Sequence, residues 1–353
     1  MRTFHSLRVA DLRRETPDCV SVLLEVPEEL RASFAFLPGQ YLTFRQWIGG
    51  EELRRSYSIC AAPAEGELRV AVKQVPEGRF STFVNRQLAP GAMLDVMPPM
   101  GHFVWKADEA RGHDVFFAAG SGITPILAML KAGLASAPER RFTLVYGNSR
   151  SDSIIFLEEL EALKNRYLGR LAIHHVLSRE FPGSDLFFGR ISKEKCDALL
   201  EKVLDVAAID HFYICGPNDM LEAVRDSLSG HGVETSRIHV ERFSSEGLPV
   251  PKAAGVKTGK PFAVEVEITQ DGNIFHFSMD SRSETLLDAA QRSGADLPYA
   301  CKGGVCCTCM ARLSEGKVEM ALNYALEEDQ LAQGYILTCQ SYPLTTTLKI
   351  DFD

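Results

Sequence analysis

Four cysteines near the end of the chain carry the most specific chemistry in the sequence. Cys301, Cys306, Cys309 and Cys339 are separated by four, two and twenty-nine residues, which is the plant-type spacing for the ligands of a [2Fe–2S] cluster. Three ligands in one tight loop and a fourth from a distant segment can wrap both irons. The loop runs Cys301-Lys302-Gly303-Gly304-Val305-Cys306-Cys307-Thr308-Cys309. Its glycines let the backbone turn sharply and aim N–H groups at the sulfurs, and such hydrogen bonds help set a cluster's potential. Cys307 falls outside the spacing and reads as a bystander. A structural zinc would call for a second Cys-x2-Cys knuckle or a Cys/His mixture, and a Rieske centre for two histidines; the loop offers neither. Cys19, Cys60, Cys196 and Cys215 lie scattered upstream, so the total is nine, an odd number that excludes a full set of internal disulfides.

Four further segments have residue types suited to holding nucleotides. Gly120-Ser121-Gly122-Ile123-Thr124-Pro125 follows a strand-like run and opens a helical one. Glycines there allow a tight turn and close approach of a phosphate, and the helix start supplies free N–H groups. Pro125 stands where the usual dinucleotide fingerprint has another residue. Cys215-Gly216-Pro217 follows the run His211 to Ile214, and Arg55-Ser56-Tyr57-Ser58 precedes Lys73-x4-Gly78-x2-Ser81. In chain order, R-x-Y-S, G-x-x-S, G-x-G-x-x-P and then C-G-P, the segments resemble the ferredoxin–NADP+ reductase-like flavoproteins.

That resemblance implies that Arg55 pairs with a flavin phosphate, Tyr57 stacks on the isoalloxazine and Ser58 lies near its N5. Lys73, Gly78 and Ser81 belong to the same grip, Gly78 with Ser81 closing over the phosphate. Gly120, Gly122, Thr124 and Pro125 would open a nicotinamide domain, and Cys215, with Gly216 and Pro217, would position the nicotinamide for hydride transfer. Tyr57, Ser58 and Cys215 are thus the expected catalytic residues. Phe243, in Glu241-Arg242-Phe243, is a candidate to cover the flavin, with a plain core position as the alternative. After Tyr146-Gly147 come Asn148-Ser149-Arg150, without the acid that would hold a ribose 2′-OH, and Leu177-Ser178-Arg179-Glu180 resembles a Ser-Arg pair that holds a 2′-phosphate. Arg150, Ser178 and Arg179 therefore favour NADPH over NADH. Leu297-Pro298-Tyr299-Ala300 resembles the plant-type ferredoxin signature and implies a β-grasp domain.

These segments need scaffolds of different kinds. The first ~105 residues alternate short β-like runs (Ser21–Val26, Tyr41–Phe44, Leu68–Val72) with turn signals such as Pro38-Gly39 and Pro90-Gly91, a pattern that favours an antiparallel barrel. From Val115 strand and helix patterns alternate: strands at Val115–Ala118, Phe142–Tyr146, Leu171–Val176 and His211–Ile214, helices at Thr124–Ala135, Phe156–Arg166, Lys193–Val203 and Asp219–Ser229. That alternation predicts a parallel sheet with crossover helices. Ser244 to Lys260 is rich in Gly, Pro, Ser and Lys and reads as a linker. The last part combines strands at Ala263–Thr269 and Asn273–Met279 with a helix at Leu286–Ser293. The expected division is a flavin-binding β-barrel at 1–106, an NAD(P)-binding α/β domain at 107–245, a linker at 246–261 and an α+β β-grasp ferredoxin domain at 262–353.

Composition fits such a multidomain chain. The 353 residues are 45% hydrophobic and 24% charged, ordinary for a globular protein, and no run approaches the ~20 apolar residues of a membrane span. The start lacks the apolar core of a secretory signal, so the cytoplasm is the expected location. The net charge of −9 argues against general nucleic-acid binding. Phe262–Asp353 holds six Lys and Arg against fourteen Asp and Glu, so nearly all the acidity lies there.

The layout is similar to that of the reductase components of multicomponent oxygenases. Phe4–Leu7, Gly50–Arg55, Tyr146–Phe156 and Gly334–Gln340 bring it nearest the branch serving phenylacetyl-CoA epoxidases. The resemblance implies FAD as the flavin, though FMN would use most of the same grip, and a di-iron oxygenase as electron acceptor. Ring-hydroxylating dioxygenases, fatty-acyl desaturases and hybrid-cluster proteins are alternative acceptors for the same layout. An iron–sulfur redox sensor is a further alternative, but the sequence shows no output or DNA-binding element to go with it.

Overall fold

In the computed structural model, which describes residues 3–105, 111–243 and 260–353, the strand-rich first hundred residues build a six-stranded antiparallel sheet. Its elements are β1 (His5–Thr16), β2 (Cys19–Glu25), β3 (Tyr41–Ile48), β4 (Glu51–Ser58), β5 (Leu68–Lys73), a short helix α1 (Arg79–Arg86) and β6 (Met93–Val96). The strands lie in the order β4-β3-β6-β1-β2-β5. A bridge between Ile59 and Val70 ties the end of β4 back to β5, which curls the sheet into a barrel around Leu7, Val9, Val22, Leu42, Phe44 and Val70. Gly49 and Gly50 at φ 63° and 80° form the two-residue turn that the Ile48–Glu51 pairing demands.

The alternating region forms β7 (Arg111–Ala119), α2 (Ile123–Ser136), β8 (Glu139–Asn148), α3 (Leu157–Arg166), β9 (Leu171–Leu177), α4 (Lys193–Lys202), β10 (His211–Cys215), α5 (Asn218–Gly230) and β11 (Ile238–Glu241). All neighbouring strands are parallel, in the order β11-β10-β7-β8-β9. The two faces of β7 divide the core as a doubly wound sheet requires. Phe116 and Ala118 pack with α2 and α3, whereas Val115 and Phe117 pack with α4 and α5. The strand order reverses between β7 and β10, and in open α/β sheets ligands bind at the carboxyl ends of the strands flanking such a point.

Barrel and parallel sheet lie in one compact unit, Phe4–Phe243, and share a core. Cys19, Cys60 and Ala71 of the barrel are buried in the same cluster as Ile126 and Leu130 of α2. Trp105, at the barrel's exit, donates its indole N–H to Asp114 at 2.9 Å. Asp114 also receives the fully buried Arg140 at 2.7 and 2.8 Å. Removing one partner of such a buried pair costs far more than the pair itself contributes, because it strands a charge.

The second unit covers the C-terminal stretch from Ser244, and positions 246–259 of the expected linker lie outside the described residues. Its elements are β12 (Ala263–Gln270), β13 (Asn273–Asp280), α6 (Leu286–Arg292), β14 (Met310–Glu315), β15 (Val318–Met320), α7 (Glu328–Ala332), β16 (Tyr335–Leu337), β17 (Ser341–Pro343) and β18 (Thr347–Asp351). Five strands form a mixed sheet in the order β13-β12-β18-β14-β16, and β15 pairs with β17. Leu286, Leu287, Ala289 and Ala290 of α6 are buried in its core, and Thr285 caps the helix by accepting from the Asp288 N–H at 3.2 Å. The cysteine loop spans the gap between α6 and β14. No helix among the described residues is long and apolar enough to cross a membrane.

Candidate nicotinamide–flavin site and cysteine centre

Two of the motif segments meet where the sheet order reverses. Gly120–Gly122 leaves β7 and Cys215–Pro217 leaves β10, two strands whose ends are paired through Ala118 and Cys215. A Cβ on Gly122 would overlap the Cys215 carbonyl oxygen, so only glycine lets the two loops touch. Thr124 and Pro125 are buried in the first turn of α2. The Thr124 hydroxyl donates to the Ser121 carbonyl at 3.0 Å and braces the turn from behind, while proline needs no N–H at this helix position. The Cys215 thiol is fully buried, and that burial pushes its pKa well up, keeping it a neutral group.

The flavin motif occupies the end of β4, against β3. Arg55 is exposed, and its guanidinium donates to the Arg54 carbonyl at 2.7 Å, with further N–H donors free to meet a phosphate. The Tyr57 ring packs edge-on to Phe44 at 6.0 Å and near Phe80 at 5.7 Å. Burial pushes its phenol pKa up. Ser81 lies in α1, donating to the Gly78 carbonyl at 3.1 Å and accepting from the Val75 N–H at 3.3 Å. Its side chain therefore shapes the Gly78 loop that leads into the N-terminus of α1. Lys73 sits apart from this loop: its ammonium lies 3.6 Å from Asp18 and faces the Gly120 turn, between the flavin and nicotinamide motifs.

One residue of this centre was not singled out by the sequence. Ser58 donates its hydroxyl to Glu241 at 3.4 Å, across 183 positions of chain, and Glu241 pairs along β11 with Cys215 of β10. Glu241 keeps some exposed surface but sits deep among protein atoms, and that desolvation raises its carboxyl to about 8. A flavin-motif serine, the C-G-P cysteine and a carboxyl group that holds its proton at neutral pH thus converge. Arg242 is tied to Asn218 at 3.0 Å and to Glu222, which anchors this strand end to α5. Phe243 follows as the last described residue of the unit and is exposed.

The residues read as 2′-phosphate contacts lie in two neighbouring loops. The Ser178 N–H donates to the Asn148 carbonyl at 3.0 Å and the Arg179 N–H to the Ser149 carbonyl at 2.8 Å. Glu180 accepts from the Ser151 N–H at 2.9 Å and from its hydroxyl at 3.0 Å; these bonds hold its carboxyl below the usual range. Arg150 is exposed beside Asp152 at 3.8 Å.

In the second unit, the ladder between β14 and β16 brings the distant cysteine home. Met310 pairs with Leu337, and Thr338 donates both its N–H (3.2 Å) and its hydroxyl (3.0 Å) to the Cys309 carbonyl. Cys339 therefore lands beside Cys309. Cys301 hydrogen-bonds with Cys306 and Cys309 with Cys339, and the two pairs lie within electrostatic range of each other. Hydrogen bonds from the Cys306 thiol and from nearby N–H groups hold the Cys301 thiol below its ordinary range, and the Cys309 thiol likewise holds Cys339 down. Two irons, each held by two thiolates, would fit these pairs. The Gly303 N–H points at the Cys301 sulfur at 3.3 Å, and the strained turn uses positive φ at Lys302, Gly304 and Cys307. Cys307 donates to the Ala325 carbonyl at 3.3 Å, away from the four.

Three family models match successive parts of the chain. Residues 6–105 match the family model of an oxidoreductase FAD-binding domain, 116–226 that of an oxidoreductase NAD-binding domain and 268–344 that of a 2Fe-2S iron-sulfur cluster binding domain. The chain is 43% identical to a component of the 1,2-phenylacetyl-CoA epoxidase of Escherichia coli (strain K12), over all of this chain and 99% of that protein. It is 35% identical to the 3-ketosteroid-9-alpha-monooxygenase ferredoxin reductase component of Rhodococcus rhodochrous, over 98% of this chain and 96% of that one. Among solved structures, phthalate dioxygenase reductase shares the fold with a TM-score of 0.58 at 24% identity, over 99% of this chain and 98% of that one. An intact type IV self-sufficient cytochrome P450 monooxygenase does so at 0.72 and 22% identity; 98% of this chain aligns to 41% of that longer protein.

Proposed function

The chain belongs to the family of oxidoreductases that join a FAD-binding, an NAD-binding and a 2Fe-2S domain in one polypeptide, and we propose that it carries electrons from NADPH through FAD and a [2Fe–2S] cluster to the di-iron oxygenase of a phenylacetyl-CoA epoxidase system. The observation that carries the redox reading is the convergence of Ser58, Cys215 and Glu241 beside the Gly120–Gly122 turn at the point where the sheet order reverses. The acceptor rests on the 43% identity, end to end, to a component of such an epoxidase.

When bound, the flavin accepts an electron pair as hydride and releases electrons singly, and the cluster takes them one at a time. The chain's own residues bind and orient. Arg55 and the Gly78 loop grip the flavin phosphate, Tyr57 gives the ring an apolar face, and Ser58 supplies a hydroxyl near its N5. Gly120 and Gly122 admit the pyrophosphate, and the buried Cys215 sets the depth of the nicotinamide. The neutral Glu241 places a proton, not a charge, beside Ser58 and Cys215. Arg150, Ser178 and Arg179 take the 2′-phosphate, which is why NADPH is the donor. Cys301, Cys306, Cys309 and Cys339 hold the irons. The work divides over 1–106, 107–245 and 262–353, in the cytoplasm.

Protein purified without oxygen should contain flavin and about two irons per chain. Cys339→Ser should leave NADPH-driven bleaching of the flavin intact and abolish electron delivery to the epoxidase. Undiminished delivery by that variant would refute the route, and a wild-type preparation without iron would refute the cluster.

A further inference from the structure

Gln340 follows the fourth cysteine directly, yet its side chain is buried, with 8% of its surface exposed. Its amide nitrogen donates to the Lys302 carbonyl at 2.9 Å and to the Cys339 sulfur at 3.6 Å. An amide NH2 has two hydrogens, and these two acceptors use both. Lys302 is held in turn. It adopts φ 48°, its ammonium is bound by Asp288 at 2.8 Å and Gln291 at 2.9 Å, and it lies over the Tyr299 ring at 4.9 Å. The Gln340 backbone carbonyl accepts from the Ala321 N–H at 2.8 Å. One side chain therefore bridges the turn that carries Cys301 and the segment that carries Cys339, and both ends of the bridge are fixed.

We propose that Gln340 is a positioning residue of the cysteine centre: its amide locks the Lys302 turn onto the Cys339 segment and, by donating to the Cys339 sulfur, raises the reduction potential of the cluster. The inference rests on the [2Fe–2S] reading of the four cysteines. The physical reason is charge. A donor aimed at a ligand sulfur withdraws negative charge from it and favours the reduced, more negative form of the cluster. Backbone N–H groups such as that of Gly303 donate to the sulfurs whatever the side chain, and Thr308 adds a side-chain hydrogen bond at Cys306; the Gln340 amide is a setting at Cys339 that a substitution can change. In a reductase whose cluster receives electrons from a flavin, it makes the cluster a better acceptor.

The test is Gln340→Met, which keeps an unbranched side chain of similar length and removes both hydrogens. Iron content, the midpoint potential from an EPR-monitored titration, and the rate of NADPH-driven flavin bleaching are measured on the full-length protein. The expected result is about two irons per chain, unchanged bleaching, and a cluster potential lowered by about 59 mV, a tenfold shift of a one-electron equilibrium. Gln340→Asn, which keeps an amide on a shorter arm, should recover part of the shift. A Gln340→Met protein with full iron and an unmoved potential overturns the proposal. Should that variant fail to retain iron, pulsed EPR of the reduced wild-type protein, labelled with 15N at glutamine side-chain amides, decides: a 15N coupling supports the bridge and its absence overturns it. Wild-type protein devoid of iron would instead sink the cluster reading itself.

Discussion

Glu241 shows how much chemistry a single residue can take from its surroundings. An ordinary glutamate is ionised at neutral pH, but this one is desolvated between Ser58 and Cys215 and is raised to about 8. A carboxyl that rises on folding stabilises the fold while it keeps its proton. That contribution is fully present below the ordinary carboxylate range and is lost as pH rises through about 8. On the proposed placement of the flavin near Ser58, the same ionisation would put a negative charge beside a ring that gains negative charge on reduction. NADPH-driven flavin bleaching in stopped flow should therefore slow as pH rises through about 8, and Glu241→Gln should flatten that limb. A wild-type profile without a transition between pH 7 and 9 would count against the assignment. Cys215 belongs to the same scale. Its thiol is raised by burial, so its part is shape and contact rather than nucleophilic attack.

At the scale of elements, function depends on which loops touch. The ends of β7 and β10 are in register, and Gly122 lets their loops close on each other. Gly122→Ala would force a methyl group against the Cys215 backbone, where no flexible side chain can yield. It should destabilise the unit by roughly 1–3 kcal/mol and abolish NADPH-driven bleaching while flavin stays bound; equilibrium denaturation and stopped flow read the two effects. The loops after β8 and β9 form a second such pair, clamped by Glu180 on Ser151. Arg150→Ala and Arg179→Ala should each raise the KM for NADPH about tenfold, the loss of one charge-assisted contact, and leave the KM for NADH in place. Equal effects on both dinucleotides would show that the two arginines do not read the 2′-phosphate. The barrel contains one element that its alternating pattern concealed, α1. Phe80, Phe83 and Val84 have helical spacing, but eight residues are too few for periodicity to stand out among strands.

For the molecule as a whole, charge is the property that acts at a distance. The net charge of −9 is concentrated in Phe262–Asp353, where fourteen acids face six bases, and four thiolates around an oxidised [2Fe–2S] core would add to it. An acceptor with a basic patch would be steered to this unit, and salt would screen the attraction over about 10 Å at 0.1 M. Electron delivery to the acceptor should fall as ionic strength rises, whereas NADPH-driven bleaching, confined to Phe4–Phe243, should change little. Delivery that stays constant from low to high salt would remove the docking role of this charge.

The sequence alone points to chemistry held in contiguous residues: the cysteine loop, the Gly120 turn, Arg55–Ser58 and Cys215–Pro217 each have their residue types and spacing within a few positions. It also determined the order of the scaffolds, because period-2 and period-3.6 patterns and turn residues are local signals. What those pieces meet is set by tertiary packing. Glu241 joins Ser58 across 183 positions, Lys73 lies toward the Gly120 turn, the four sulfurs pair two and two, and Gln340 reaches Lys302. Each of these follows from strand order and register, which the packing of whole sheets and helices selects, and no local period records which strand end will lie beside which.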